Sequence, residues 1–331
     1  MADLNAELRR KIMGYIVSQA IMAVNELRIP DRLDDGPVQV DRLASEAGCD
    51  RDALRRFLRV LVGEGLFTFA DPDTFGLTDM GALLCTRTPA SPGNFAELMG
   101  GEAYASWAAA AHSLRTGEPA FDHLHGARYF DWLATDPDAA HRFNRAQSEL
   151  VRLRSVPLLE RDWAGTRTVV DVGGGNGALV AALLARHTTL RAAVFDLPDV
   201  VEEARKVLAA AGLDGRADVV PGDFFTDVPR GADVYVLSQV LHDWDDEDAG
   251  RILRRCRTAV PGHGRLLVVE QVLGDGCDAG PTALLDLHML VLLGGRERTR
   301  SDWAALLGAN GFTIDEIRTG PRSSLIEAVP T

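Results

Sequence analysis

Two groups of residues in this chain have the types and the spacing to do chemistry. The first is Asp171-Val172-Gly173-Gly174-Gly175-Asn176-Gly177, a glycine-rich run that follows an apolar segment and opens a helical pattern near Ala178. Glycines let the backbone turn tightly and let a ligand come close to main-chain N–H groups. The second is His242, in Ser238-Gln239-Val240-Leu241-His242-Asp243-Trp244, with Glu270 closing the next apolar run, Val268-Val269-Glu270. A histidine exchanges a proton near neutral pH, and a carboxylate beside it orients the ring and raises its basicity. A satisfied surface histidine is the other reading of His242 on spacing alone. Asp245 to Asp248 read as an N-cap and first-turn anions of the following helix, without a chemical role.

The ligand class follows from three acids. Read as G-x-G-x-x-G/A, the loop supplies Gly173, Gly175 and Ala178, which on their own also fit a dinucleotide. Asp171 ends the first apolar run, Asp196 ends the second in Phe195-Asp196-Leu197-Pro198, and Asp223 follows the third in Gly222-Asp223-Phe224-Phe225. An acid at the second position accepts hydrogen bonds from both ribose hydroxyls, a feature shared by NAD and S-adenosyl-L-methionine. Asp171 and Asp223 separate the two, because carboxylates repel a pyrophosphate and tolerate an ammonium and a sulfonium. Asp223 and Phe224 also suit adenine, through its amino group and its ring face. A dehydrogenase stays open as an alternative, as does a capping role for each acid singly.

The elements that must hold these residues read as an α/β domain. From Thr166 onward, short apolar runs alternate with helical patterns: Val169 to Val172, Ala178 to Arg186, Ala192 to Phe195, Val200 to Ala210, Asp218 to Val220, Val234 to Leu237, Asp246 to Ala259 and Arg265 to Val269. That alternation predicts a doubly wound, mainly parallel, Rossmann-like sheet, whose ligands lie at the carboxyl ends of its strands. Ahead of it, residues 9 to 28 have the period of an amphipathic helix. Val40 to Ala47 and Arg51 to Gly63 form two more helices, the latter with Asp50 as N-cap, and Leu66 to Phe69 and Thr74 to Leu77 form a hairpin. Helix, turn, helix, hairpin is the winged-helix order. Residues 91–160 read as a helical connector rich in aromatics, among them Phe95, Tyr104, Trp107, Phe121, Tyr129, Phe130, Trp132 and Phe143, most of them core and a few available to line a pocket for a flat ligand. The expected division is thus 1–90, 91–160 and 161–331.

Composition narrows the partners. The 331 residues are 46% hydrophobic and 25% charged with a net charge of −13, which opposes attraction to nucleic acid or anionic membrane and favours a small-molecule partner. A winged helix invites a DNA-binding regulator, but residues 1–90 carry 11 basic against 14 acidic side chains. Cys49, Cys85, Cys256 and Cys277 are too scattered for a disulfide framework or a zinc site and are expected as reduced thiols. The N-terminus lacks a leader pattern and no apolar run approaches ~20 residues, so a cytoplasmic protein is expected.

The motif series from Val169 to Glu270, in its order and spacing, resembles the class I small-molecule O-methyltransferases that include caffeic acid and acetylserotonin O-methyltransferases. The resemblance spans nearly the whole chain, since those enzymes also carry an N-terminal winged-helix dimerisation domain and a helical connector. It implies a homodimer formed through the N-terminal domain, S-adenosyl-L-methionine as cofactor, no metal, and a small aromatic or polyketide-like acceptor. Position by position it implies that Asp171, Gly173 and Gly175 serve the methionine end of the cofactor and that Asp196 and Leu197 serve the ribose. Asp223 and Phe224 match the adenine contacts, and Ser238, Asp243 and Trp244 further cofactor contacts. His242 matches the catalytic base, with Glu270 and, across a shorter loop, Glu297 as its supporting acids. Phe143, Gln147, Asp286 and Met289 fall near the acceptor, Gln147 standing where many members have methionine. Some relatives use the same cofactor in hydroxylation, decarboxylation or pericyclic steps, which leaves a non-methylating reaction open.

Overall fold

The computed structural model describes residues 3–88, 91–274 and 280–331, the side chain of Arg152 apart, so Cys277 lies outside the described residues. The chain forms two compact units, Met1–Ala105 and Ser106–Thr331. The sequence pattern of a single connector over 91–160 is divided between them.

In the first unit the helix expected over 9–28 is two helices, Leu4–Ile12 and Gly14–Glu26, separated at Met13. Gly14 is a poor interior helix residue, and nothing in Leu4–Ile12 is buried to hold the two in line. Asp3 caps the first, accepting from the N–H groups of Asn5 and Ala6. The helices Val40–Ala47 and Arg51–Gly63 follow as expected. Gly48 ends the first with φ +66, and the Asp50 carboxylate accepts from Ala53 N to start the second. The strands Phe67–Asp71 and Thr74–Leu77 form the hairpin, and the two-residue strand Val38–Gln39 pairs beside it. Of the arginines on Arg51–Gly63, Arg51 pairs with Asp41, Asp52 and Asp73, and Arg55 with Asp73.

The second unit is built on a seven-stranded sheet: β1 (Thr168–Val172), β2 (Arg191–Asp196), β3 (Ala217–Pro221), β4 (Val234–Ser238), β5 (Arg265–Glu270), β6 (Phe312–Thr319) and β7 (Ser324–Pro330). In space the order is β3-β2-β1-β4-β5-β7-β6. The first five strands are parallel, and β7 joins β5 antiparallel. The order reverses between β1 and β4, which opens a crevice at their carboxyl ends. Successive residues serve opposite faces. Val170, Val172, Tyr235 and Leu237 pack with the helices Asp246–Ala259 and Arg300–Ala309, while Val169, Val194, Val234 and Val236 pack with Ala178–Arg186 and Pro198–Ala210. Cys85 and Cys256 are buried free thiols and Cys49 is half-buried. Among the described residues no helix is long and apolar enough to cross a membrane.

Candidate active site

The glycine loop leaves β1 at the crevice. Gly173, Gly175 and Gly177 all have φ between +58 and +78, backbone that favours glycine. The N–H groups of Gly173 and Gly174 donate to Phe195 O, and that of Gly175 donates to Asp196 Oδ2 at 2.8 Å. A Cβ on Gly173 would meet Val240 at 2.8 Å and Phe224 at 3.5 Å, whereas one on Gly175 would meet nothing within 4 Å. The loop is therefore pressed against the protein at Gly173 and open at Gly175.

Two acids stand beneath this opening. Asp171 is buried, its Oδ2 has no hydrogen-bond partner, and burial together with the neighbouring Asp196 raises its pKa to about 7. Asp196 is raised by burial and lowered by the N–H groups of Gly175 and Leu197. An orphaned carboxyl oxygen beside an open glycine cradle fits a ligand that brings a cationic donor, as the amino-acid end of S-adenosylmethionine does. Leu197 is exposed, and Ser238 is half-buried at the end of β4. Asp223 is exposed, and its carboxylate accepts from Phe225 N at 2.8 Å and Thr226 Oγ1 at 3.3 Å, the turn role weighed for it above. Phe224 packs edge-on to Trp244, whose ring also meets Phe225 at 4.8 Å and stacks on Phe130 at 5.9 Å. Phe130 in turn touches Phe143, so one aromatic chain joins the expected adenine side to the expected acceptor side.

His242 sits on a one-turn helix, Leu241–Asp243, just beyond β4, and is 4% exposed. The partner of its ring is Glu297, whose Oε1 lies 2.7 Å from Nδ1. Glu270, the acid nearer in sequence, has a different task. Its Oε1 accepts from the N–H groups of Val240, Leu241 and His242, and its Oε2 from Gln239 Nε2, so it holds the turn rather than the ring, from which it stands 3.8 Å away. Gln239 enters this turn with φ +56. Asp243 Oδ1 lies 3.3 Å from Nε2 of His242. Burial alone would lower the pKa of His242, but Glu270, Asp243 and Glu297 outweigh it and hold it up at about 10. Burial raises Glu270, and raises Asp243 to about 6.

The turn is clamped from the other side by Gly294 to Arg298. Arg296 N donates to His242 O at 2.9 Å, and a Cβ on Gly295 would lie 2.0 Å from that same oxygen. Arg298, fully buried, donates to Leu241 O, Trp244 O and Asp246 Oδ1 at 2.8–2.9 Å. Glu297 N donates to Asp286 Oδ1, which ties the expected acceptor residue Asp286 to the frame of His242; Met289, on the same helix Pro281–Leu292, is buried. Gln147 Oε1 accepts from Arg154 Nη1 at 3.4 Å. Burial lowers the pKa of Arg154, while Glu270, Glu297 and Asp243 counter it; Arg154 in turn lowers Asp243, and buried Arg298 lowers Glu270. Gln239, Arg154, Gly295 and Arg298 were missed in the sequence; only Gly294-Gly295 carried a signal, that of a turn. Ligand atoms of His242, Glu270 and Glu297 lie within 4.8 Å of one another, close enough for a metal. N–H donors occupy both oxygens of Glu270 and the imidazole stands against Glu297 Oε1, while Glu297 Oε2 is buried without a partner.

Residues 107–313 match the O-methyltransferase domain, and residues 10–87 match the O-methyltransferase dimerisation domain, which implies a homodimer. The chain is 40% identical over 329 residues to a phenazine O-methyltransferase of Lysobacter antibioticus, covering 99% of this chain and 96% of the relative. It is 36% identical over 331 residues to an aclacinomycin 10-hydroxylase of Streptomyces purpurascens, covering 98% and 88%. A solved O-methyltransferase from neocarzinostatin biosynthesis, in complex with S-adenosylmethionine and 2-hydroxy-5-methyl naphthoic acid, shares 36% identity and a TM-score of 0.85, over 95% of this chain and 96% of that one. The two-part fold, the glycine cradle and these likenesses agree: the chain belongs to the S-adenosylmethionine-dependent O-methyltransferases.

Proposed function

We propose that the enzyme methylates a hydroxyl of a small aromatic or polyketide-like natural product, with His242 as general base. The observation that carries this reading is the 2.7 Å contact between Glu297 and Nδ1 of buried His242. The cofactor supplies a methyl group activated as a sulfonium. Glu297 accepts a hydrogen bond from Nδ1–H, so the proton of the acceptor hydroxyl goes to Nε2, the nitrogen that Asp243 Oδ1 faces at 3.3 Å. Glu270 fixes the turn that aims the ring, and Asp171, Gly173, Gly175, Asp196 and Phe224 hold the cofactor. A phenol near pKa 10 and an ordinary histidine near 6.5 are mismatched by ~5 kcal/mol. With His242 held up at about 10 the transfer is nearly level. The cost is that the imidazole is mostly protonated at neutral pH, so the active form grows with pH.

A flat acceptor is supported by the aromatic chain through Phe143, Phe130 and Trp244, and by the naphthoic acid that the neocarzinostatin relative binds. Pairing of two copies through the first unit is supported by the exposed Leu4, Leu8, Ile12 and Met13. The hydroxylase relative favours a second reading, a non-methylating reaction on the same cofactor. Incubation with methyl-labelled cofactor and a panel of phenols separates the two: label on a phenol, lost in His242→Ala with cofactor affinity kept, is the expected result. Full activity in His242→Ala would sink the base assignment.

A further inference from the structure

Two acids stand within reach of Nδ1 of His242, and one of them is bonded to it. Glu297 Oε1 lies at 2.7 Å and Glu270 Oε2 at 3.8 Å. A small turn of the Glu270 carboxylate would close the longer gap, so distance alone does not keep this acid off the ring.

Gln239 supplies what distance does not. Its Nε2 donates to Glu270 Oε2 at 3.1 Å and to Val269 O at 3.0 Å. Both partners only accept, so the NH₂ end of the amide is the end that fits there. The opposite end, Oε1, is buried with no hydrogen-bond partner among the described residues. The main chain of the same residue has φ +56, a left-handed backbone that residues other than glycine seldom adopt. One residue thus carries both an unsatisfied amide oxygen and a strained backbone, between the end of β4 and the turn that presents His242. Such costs persist where the surroundings over-determine a conformation, and they cluster at functional sites.

We propose that Gln239 is a positioning residue that divides the two acids, holding Glu270 on the turn so that Glu297 alone receives the Nδ1–H of His242. With Oε2 kept by the amide, Oε1 of Glu270 collects the N–H groups of Val240, Leu241 and His242 at 3.0–3.4 Å. The acid left to aim the ring is the one whose own N–H donates to Asp286 at 2.8 Å. The direction of the imidazole is therefore set from the helix Pro281–Leu292 and not from β5. This inference rests on the reading of His242 as the general base.

The test is a double-mutant cycle read on the ring itself, by NMR titration of the full chain labelled with ¹⁵N-histidine. Glu297→Gln is compared in the wild-type and Gln239→Met backgrounds; methionine keeps the length of the side chain and lacks the donor. With Gln239 in place, Glu270 stays on the turn, and Glu297→Gln should lower the His242 pKa by about one pH unit. In Gln239→Met, Glu270 Oε2 is free to take over Nδ1–H, and the same change should lower it by less than about half as much. The Nδ1–H resonance should already move in Gln239→Met alone. Should that variant not fold, Gln239→Gly, which the left-handed backbone favours, takes its place. Equal shifts in the two backgrounds, or an unmoved Nδ1–H resonance in the single variant, overturn the proposal, since lost packing alone would leave Glu297 the sole acid on the ring. If the handover is seen while His242→Ala keeps full methyl transfer to phenols, the division of the acids stands and the general-base reading falls. Equal shifts with methyl transfer lost in His242→Ala have the opposite meaning.

Discussion

Replacing Glu297 by glutamine keeps the shape of the side chain and removes its charge, which isolates the contact on which the general-base reading depends. Glu297 Oε1 lies 2.7 Å from Nδ1 of His242, and both residues are under 5% exposed. A hydrogen bond to a charged group contributes about 1.5–3 kcal/mol and a neutral one about 0.5–1.5. The difference of about 1–2 kcal/mol corresponds to a fall of roughly 5- to 30-fold in kcat/KM and to a His242 pKa lower by about one pH unit. The main chain at 297 still donates to Asp286, so the melting temperature and the affinity for S-adenosylmethionine should hardly change. The assays are methyl transfer to a phenolic acceptor against pH and an NMR titration of the His242 ring, the second of which needs no acceptor. A loss nearer ten-thousandfold would mean that the amide has turned and inverted the imidazole tautomer, as the buried aspartate of serine proteases does when made asparagine. Unchanged kcat/KM together with an unchanged ring pKa would refute the assignment. Glu270→Ala offers the contrast: it strands the N–H groups of Val240, Leu241 and His242, so activity and thermal stability should fall together.

Because the active form needs one proton removed from the pair of His242 and acceptor, kcat/KM with a simple phenol should rise about tenfold per pH unit from 7 and level near 10; a plateau by pH 7 contradicts the raised base. Folding responds with the opposite sign. The His242 pKa is raised above its unfolded value, so the stability it contributes is complete below about 6.5 and is lost as pH rises through about 10, and Glu270 and Asp243, also raised, act in the same direction; a melting temperature that climbs from pH 6 to 9 contradicts this. Gly295→Ala puts a Cβ 2.0 Å from His242 O, which the turn can relieve only by moving the base; overpacking of about 1–3 kcal/mol and a larger loss of turnover than of cofactor binding are expected, measured by denaturation and calorimetry. Arg298→Met removes a fully buried guanidinium from Leu241 O and Trp244 O, while its ionic partner Asp246 is exposed, and denaturant titration should show a loss of about 1–3 kcal/mol for each carbonyl left unpaired.

The placement of the candidate residues was readable from sequence wherever a residue stands at the end of a regular element. Gly173, Gly175, Asp196 and His242 are such residues, each following a strand whose apolar run announces it. The partner of His242 was not readable in the same way. Glu270 ends the neighbouring strand and looks like the natural orienter, but its carboxylate is drawn to three main-chain N–H groups exposed by the turn at Gln239. Glu297 reaches the ring because Arg298–Thr299 pairs with Val272–Leu273, a two-residue ladder with no periodic signature, and because Gly295 lets the chain pass against His242 O. The strands β6 and β7 escaped for a related reason. Phe312–Thr319 forms the sheet edge and mixes Thr313, Asp315 and Glu316 among its apolar residues, so it lacks the continuous apolar run that marked the inner strands.

The acids that separated the cofactor classes on paper do not contribute equally in the folded chain. Asp223 is exposed and engaged in its own turn, so its repulsion of a pyrophosphate is screened by water. Asp171 is buried with one oxygen unpartnered and a pKa near 7, so about half of it is neutral before a ligand arrives. A phosphate approaching the Gly175 opening would push that proton on, leaving at most a neutral O–H to donate to it and no charge to attract it. An ammonium would pull the proton off and gain both the charge and the hydrogen bond. Discrimination is thus created by binding itself, and it predicts a signature: S-adenosylmethionine should bind with release of a fraction of a proton near pH 7, read as a buffer-dependent calorimetric heat, and Asp171→Asn should abolish that release while weakening the cofactor. A buffer-independent heat in the native protein would remove Asp171 from the recognition of the cofactor.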